Sequence, residues 1–90
     1  MPDYVVEFYL SRLHAREVAP AAERARAAAA AMTRDGTTVR YLRSVFLPED
    51  ETGFHFFSAE QEEDVRDAAR RAHLPSDRVS EVITTPGGLP

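Results

Sequence analysis

The 90-residue sequence has no cysteine, no lysine and no long hydrophobic run. Without cysteine, the chain can form neither disulfides nor thiolate metal sites, and it cannot use a cysteine nucleophile. The absence of an apolar run of about 18 residues argues against a membrane-spanning helix. The first ten residues carry acid where a signal peptide carries base, so we expect a cytoplasmic protein.

The charge of the chain also excludes some partners. All eleven basic residues are arginine, and the formal net charge is −4. An acidic balance of this size argues against a general nucleic-acid-binding protein. The sequence also has no glycine-rich loop that would cradle a phosphate. We therefore expect neither a nucleic acid nor a membrane as a partner.

The order of the predicted elements is the strongest signal in the chain. β-Branched and aromatic residues predict strands over residues 4–10, 38–47, 54–58 and 78–83. An alanine-rich stretch predicts a helix over 17–34, and a second helix is expected between Ser58 and Pro75. The resulting βαββαβ order predicts an α+β, ferredoxin-like sandwich with a four-stranded antiparallel sheet and two helices on one face. We expect one domain over 1–84 and a tail over 85–90.

Local signals predict how these elements begin and end. Pro20 suits the first turn of the first helix. Ser58 and Gln61 fit a capping box at the start of the second helix. Gly53 is expected to take a positive φ in the hairpin loop before the third strand. His73 falls where the second helix should be capped at its C-terminus.

The sheet face that the helices leave uncovered is where function is expected. Side chains alternate along a strand, and a charged residue is unlikely to face the helices, so we place Glu7, His55 and Glu81 together on that face. The second strand would add either Arg40, Leu42 and Ser44 or Tyr41 and Arg43. Aromatic residues such as Tyr9 and Phe57 would make the face too apolar for water alone. We therefore predict a homodimer that packs two sheets face to face, as in an α+β barrel.

The predicted cluster can bind a metal. Imidazole and carboxylate groups suit nickel, zinc, copper or iron, so His55, Glu7 and Glu81 are candidate ligands. His14, in a loop, is a candidate accessory ligand. In a purely structural alternative, Glu7 or Glu81 pairs with a nearby arginine, His55 lies in the interface and His14 is solvated.

The same cluster allows two other functions. In a cofactor-free enzyme, Glu7 or Glu81 would act as a base while His55 or Arg43 stabilises an oxyanion. Such a monooxygenase- or cyclase-like protein would bind a small hydrophobic substrate in the cavity between the subunits. In the third alternative, the dimer face serves only as an interaction surface.

Several segments together resemble a known family of small actinobacterial nickel-binding, nickel-responsive proteins, formerly a domain of unknown function. The resemblance spans nearly the whole chain and is strongest around Ser44 and at the C-terminal end. The segments that carry it are residues 4–7, Gly36, 39–44, 57–59, 65–66, 74–75 and 77–82.

This resemblance implies a ferredoxin-like sandwich, a homodimer and nickel (Ni²⁺) bound in or near the dimer interface. Glu7, Ser44, Arg78 and Glu81 match the family pattern. Two positions depart from it, because His73 stands where the family often has glycine and Phe57 where it often has tyrosine.

Overall fold

The computed structural model describes residues 1–85 and 87. Of the predicted tail over 85–90, Pro86 and residues 88–90 lie outside the described residues. No helix in the described ranges is long and apolar enough to cross a membrane. The elements in chain order are β1 (Asp3–Tyr9), a 3₁₀ segment (Arg12–Glu17), α1 (Val18–Arg34), β2 (Val39–Leu47), β3 (Thr52–Ala59), α2 (Glu62–Arg71) and β4 (Arg78–Val82).

The four strands form one antiparallel sheet in the order β2-β3-β1-β4. The predicted ferredoxin-like α+β architecture is therefore confirmed. Both helices pack on one face of the sheet, which we call the helix face, and the opposite face is called the open face. The loop predicted to hold His14 is instead the 3₁₀ segment, in which Ser11 caps the first turn through Leu13 N–H.

The core lies between the helix face and the two helices. Val6, Phe57 and Val65 are fully buried at its centre, and burying each such side chain contributes about 1.5–3 kcal/mol. α1 presents small residues to the sheet, so its backbone lies close to the strands; the buried positions are Ala25, Ala28, Ala29 and Met32. The Thr33 hydroxyl donates to the Val39 carbonyl and accepts from the Val39 N–H, which joins α1 to the start of β2.

Two predicted end signals take a different form in the structure. α2 begins after Gln61 with no side-chain cap, and Ser58 lies in β3, where its hydroxyl donates to Asp3 Oδ1 at 2.5 Å. The capping-box prediction is therefore wrong, because strand pairing holds Ser58 next to β1. In the β2–β3 hairpin, Glu51 takes the positive φ (51°) that was predicted for Gly53.

α2 ends in a Schellman motif centred on His73. Leu74 N–H donates to the Ala69 carbonyl, His73 N–H donates to the Arg70 carbonyl, and the Leu74 side chain is buried. His73 is the left-handed residue of this motif, with φ of 54°. This conformation is costly for a residue that has a Cβ atom.

We expect His73→Gly to stabilise the protein. Glycine adopts a left-handed φ without steric cost, although it loses more backbone entropy on folding, so the expected gain is about 0.5–1 kcal/mol. Urea denaturation of the two proteins measures this difference. His73→Ala is the matched control, because it removes the imidazole but keeps Cβ. A gain of the same size in His73→Ala would mean that backbone strain is not the cause.

Candidate functional site

A β-bulge in β2 determines which side chains meet on the helix face. Tyr41 pairs with Phe57 and Arg43 pairs with Phe56, so Leu42 has no partner across the ladder. The extra residue puts Tyr41 and Ser44, three positions apart, on the same face. Neither predicted set for this strand is therefore correct, because Arg40 and Arg43 share the open face while Tyr41 and Ser44 share the helix face.

His55 lies at the centre of a chain of short hydrogen bonds that the bulge makes possible. Its Nδ1 is 2.6 Å from the Ser44 hydroxyl, which is itself 2.6 Å from the Tyr41 hydroxyl. Tyr41 is covered by the Arg26 guanidinium, 5.1 Å from the ring centroid. The neutral imidazole can either donate to Ser44 or accept from it, and the two hydroxyls can reorient to suit either tautomer.

Phe8 fixes the orientation of the imidazole from the other side. The two rings stack with their centroids 4.5 Å apart and their planes 18° apart. Phe8 lies over Gly53, where a Cβ atom would come within 2.1 Å of the Phe8 ring. The glycine is therefore required for the close approach of this ring and not for a turn conformation.

The surroundings of His55 keep its ring neutral. Only 1% of the residue is exposed. Burial lowers the pKa of His55 to about 4, and the nearby Arg24 guanidinium contributes to the shift. The ring is therefore uncharged at neutral pH and can act as a hydrogen-bond donor or acceptor.

A cavity of about 150 Å³ opens beside His55, between the sheet and the start of α1. Its wall is mostly apolar and includes one arginine and one glutamate residue. The lining residues are Phe8, Leu10, Glu17, Val18, Pro20, Ala21, Arg24, His55 and Pro75. The Arg24 Nε donates to the Ala72 carbonyl at 2.9 Å, which ties the guanidinium to the end of α2.

The three predicted cluster residues do not share a face. Glu7 pairs with Phe54 and Arg78 on the open face, whereas His55 pairs with the core residue Val6. The prediction that placed His55 beside Glu7 is therefore wrong. It assumed that a polar residue would avoid the helix face, but a neutral imidazole bonded to Ser44 is tolerated there.

Glu81 also lies away from Glu7. It pairs with Tyr4, whose side chain is in the core, so Glu81 points toward the helix side at the exposed edge of β4. Burial raises the pKa of the Tyr4 phenol, and the Glu81 carboxylate raises it further. The predicted grouping of Glu81 with Glu7 on the open face is therefore wrong as well.

On the open face, Glu7 accepts a hydrogen bond of 2.6 Å from the Tyr9 hydroxyl. This bond, together with the carboxylate charge, raises the pKa of Tyr9. Arg43 lies over the Phe56 ring, with its guanidinium carbon 4.4 Å from the centroid. Glu7 and Arg43 are thus the two candidate catalytic residues that the structure places on the open face.

The remaining candidate ligand, His14, lies in the exposed 3₁₀ segment. Its Nδ1 is 3.1 Å from Glu17 Oε2, and both side chains are about 60% exposed. This pair presents one nitrogen and one oxygen donor side by side. Across the described residues, however, no group of three or more histidine, aspartate or glutamate side chains converges to hold a metal ion.

Sequence reasoning missed the hydrogen-bonded chain from Tyr41 to His55. The signal that could have found it is Ser44, which the family resemblance marks. The bulge at Leu42 is what turns Ser44 toward His55, and strict alternation along the strand does not anticipate it.

The fold and its polar cluster define a small ferredoxin-like α+β protein, and comparison with known proteins gives its family. Residues 4–82 match the family described as "Nickel responsive protein SCO4226-like". The chain therefore belongs to the SCO4226-like family, as the resemblance predicted. No curated protein matched the sequence.

A solved structure has the same fold. It is described as "Crystal structure analysis of SCO4226 from Streptomyces coelicolor A3(2)". The TM-score is 0.68 at 16% sequence identity, and the match covers 93% of this chain and 99% of that one. At this identity the likeness is one of fold.

We expect the stability of the protein to fall as the pH is lowered from 6.5 to about 4, because the unfolded state binds a proton that the buried His55 resists. The cavity beside the ring is partly open to solvent, so screening makes the loss of stability smaller than the full pKa shift corresponds to. The expected contribution of His55 is about 2 kcal/mol.

Urea denaturation across this pH range tests the expectation in the wild type and in His55→Asn. Asparagine can keep the hydrogen bond to Ser44 but does not titrate, so the variant should show a shallower slope. The exposed His73 is the control position, and His73→Asn should keep the wild-type slope. Parallel slopes in the wild type and His55→Asn would contradict the assignment.

Proposed function

We propose that this chain forms a homodimer through the open face of its sheet and that the dimer binds a divalent transition metal, with nickel as the first candidate. The observation that carries the proposal is membership of a nickel-responsive family over residues 4–82. Two features of the described residues also support the proposal. One face of the sheet is apolar and uncovered, and imidazole and carboxylate groups lie side by side.

The composition of the open face favours a second copy of the chain as its partner. Apolar side chains from three strands remain partly or largely exposed on it; they are Val5, Tyr9, Val45, Leu47, Phe54 and Phe56. Carboxylates (Asp3 and Glu7) lie on the central β1, and guanidinium groups (Arg40 and Arg43) lie on the outer β2. A two-fold pairing can therefore place the acidic strand of each copy against the basic strand of the other.

The distribution of donors supports a metal shared between copies. Nickel commonly takes square-planar or tetragonal sets of nitrogen and oxygen donors. One chain presents such donors in small units, namely His14 with Glu17 and, on the open face, Glu7. The His14–Glu17 pair from each of two copies would complete a four-donor set, and Glu7 is an additional candidate donor. We propose these three side chains as the ligands.

Two of the predicted ligands fit this proposal less well. His55 uses Nδ1 for Ser44, and the Arg24 charge in the adjoining cavity opposes a cation at Nε2. Glu81 lies at the exposed edge of β4, and within the described residues it belongs to no group of three or more candidate donors, so a site there would need donors from elsewhere. The cofactor-free enzyme, with Glu7 and Arg43 facing an interface cavity, stays the competing prediction.

We expect the chain to be a dimer that a charge on the open face dissociates. Val45 is 38% exposed and lies beside Phe54, so Val45→Asp should leave the monomer folded while placing an unpaired carboxylate in the interface. Light scattering measures the mass, and circular dichroism checks the fold. Leu13→Asp is the control, since Leu13 is 81% exposed on the 3₁₀ segment. A wild-type monomer, or equal dissociation by both variants, would overturn the dimer proposal.

We expect metal-stripped, tag-free protein to bind nickel with a whole-number stoichiometry per dimer in calorimetric titration. Zinc, cobalt and copper are titrated in parallel. Removing a nitrogen or oxygen donor should abolish or strongly weaken binding, so the test variants are His14→Gln, Glu17→Gln and Glu7→Gln. His73→Gln and Glu23→Gln serve as matched controls at exposed positions.

Two results would contradict the metal proposal. Flat titrations with all four metals would remove it and direct attention to aromatic ligands of the interface. Unchanged binding in the three donor variants, with loss of binding in His55→Asn or Glu81→Gln, would show that a metal binds at His55 or Glu81 and not at the proposed ligands.

A further inference from the structure

We propose that the cavity beside His55 binds a small organic monocarboxylate with an apolar body about the size of a benzene ring, its carboxylate contacting Arg24 and Nε2 of His55. The cavity lies on the helix face and is therefore separate from the open face, although Glu17 of its lining is also a proposed nickel ligand. The inference does not depend on nickel binding.

The volume and the apolar walls of the cavity determine the size and shape of the apolar part of the ligand. Its volume is about 150 Å³, and an apolar protein cavity of about this volume can hold one benzene molecule. Phe8, Val18, Ala21 and Pro75 supply apolar surface around it. A planar ring or a short branched chain would fill this space, whereas a long acyl chain would not.

His55 supplies a directed polar group in this wall. The residue is 1% exposed, and Ser44 occupies Nδ1. Within the described residues no hydrogen bond is formed by Nε2, and the ring lines the cavity. When Tyr41 donates to Ser44 and Ser44 donates to Nδ1, Nε2 carries the hydrogen and can donate it to a carboxylate. An anionic ligand would therefore select this one of the two tautomers.

Arg24 supplies the charge that the carboxylate needs. Its Nε is bonded to the Ala72 carbonyl, which leaves the terminal nitrogens of the guanidinium available to a ligand. The hydrogen bond to the end of α2 also holds this cation in the cavity wall. A neutral imidazole and a guanidinium together favour a monoanion over a cation.

Glu17 limits the charge that the cavity accepts. Glu17 belongs to the same lining, and its exposed carboxylate pairs with His14 close to the cavity. A dianion such as a phosphate monoester would meet more repulsion from Glu17 than a monocarboxylate does. Removal of the Glu17 charge should therefore strengthen the binding of anions and reduce the preference for a monoanion over a dianion.

Benzoate is the probe for this site, with benzyl alcohol and phenyl phosphate as its neutral and dianionic counterparts. Metal-free protein is titrated while NMR follows the imidazole resonances of His55, whose ¹⁵N shifts also report the tautomer. We expect saturable shifts at His55 with benzoate, a move toward the Nε2–H tautomer and weaker binding of both counterparts.

Variants of the two charged residues give opposite expected effects. Arg24→Gln should weaken benzoate binding by roughly tenfold or more, the usual cost of a lost charge-assisted hydrogen bond. Glu17→Gln should strengthen benzoate binding and reduce discrimination against phenyl phosphate. Arg34→Gln, at the exposed end of α1, is the matched control and should bind benzoate as the wild type does. Because Arg24 also bonds Ala72, the fold of Arg24→Gln is checked first, and Glu17→Gln remains decisive if that variant unfolds.

Three results would overturn the proposal. The first is the absence of saturable shifts at His55 up to the solubility limit of benzoate. The second is equal binding of benzyl alcohol and benzoate, because the carboxylate would then contribute nothing. The third is weaker benzoate binding in Glu17→Gln, which would contradict the assigned charge. None of these results bears on nickel binding or dimer formation.

Discussion

The helices cover a single face of a four-stranded sheet, and this constraint shapes the rest of the molecule. The core strand β1 places Tyr4, Val6 and Phe8 under the helices, so its alternate positions, including Glu7, must lie on the other side. Each face has consequently acquired its own polar chemistry. The helix face holds a neutral imidazole within a hydrogen-bonded chain, and the open face holds charged groups among aromatic rings.

The architecture could be predicted because its determinants are local. Alternation in β1, the alanine stripe of α1 and the acidic start and basic end of α2 each identify one element, and their order leaves one common topology. For nearly all strands and helices, the predicted bounds differ from the observed bounds by no more than a few residues. The 3₁₀ segment is an exception, since its polar sequence from Arg12 to Glu17 shows no helical periodicity.

The candidate site could be predicted only in part, because it depends on register and on one inserted residue. His55 alternates correctly with Phe54 and Phe56, yet the face of the whole strand was assigned on the assumption that histidine behaves as a charged residue. In the structure, burial and Arg24 keep it neutral. The position of Ser44 could not follow from alternation at all, since the bulge at Leu42 reverses the faces of the residues after it.

The same bulge has a consequence for how molecules of this chain meet one another. β2 is an outer strand of the sheet, and its free edge presents backbone groups that could pair with a strand from another molecule. The unpaired Leu42 interrupts the regular spacing of these groups and increases the local twist. An incoming strand would therefore find a broken ladder flanked by the like charges of Arg40 and Arg43. Growth of the sheet from molecule to molecule along this edge is thereby disfavoured.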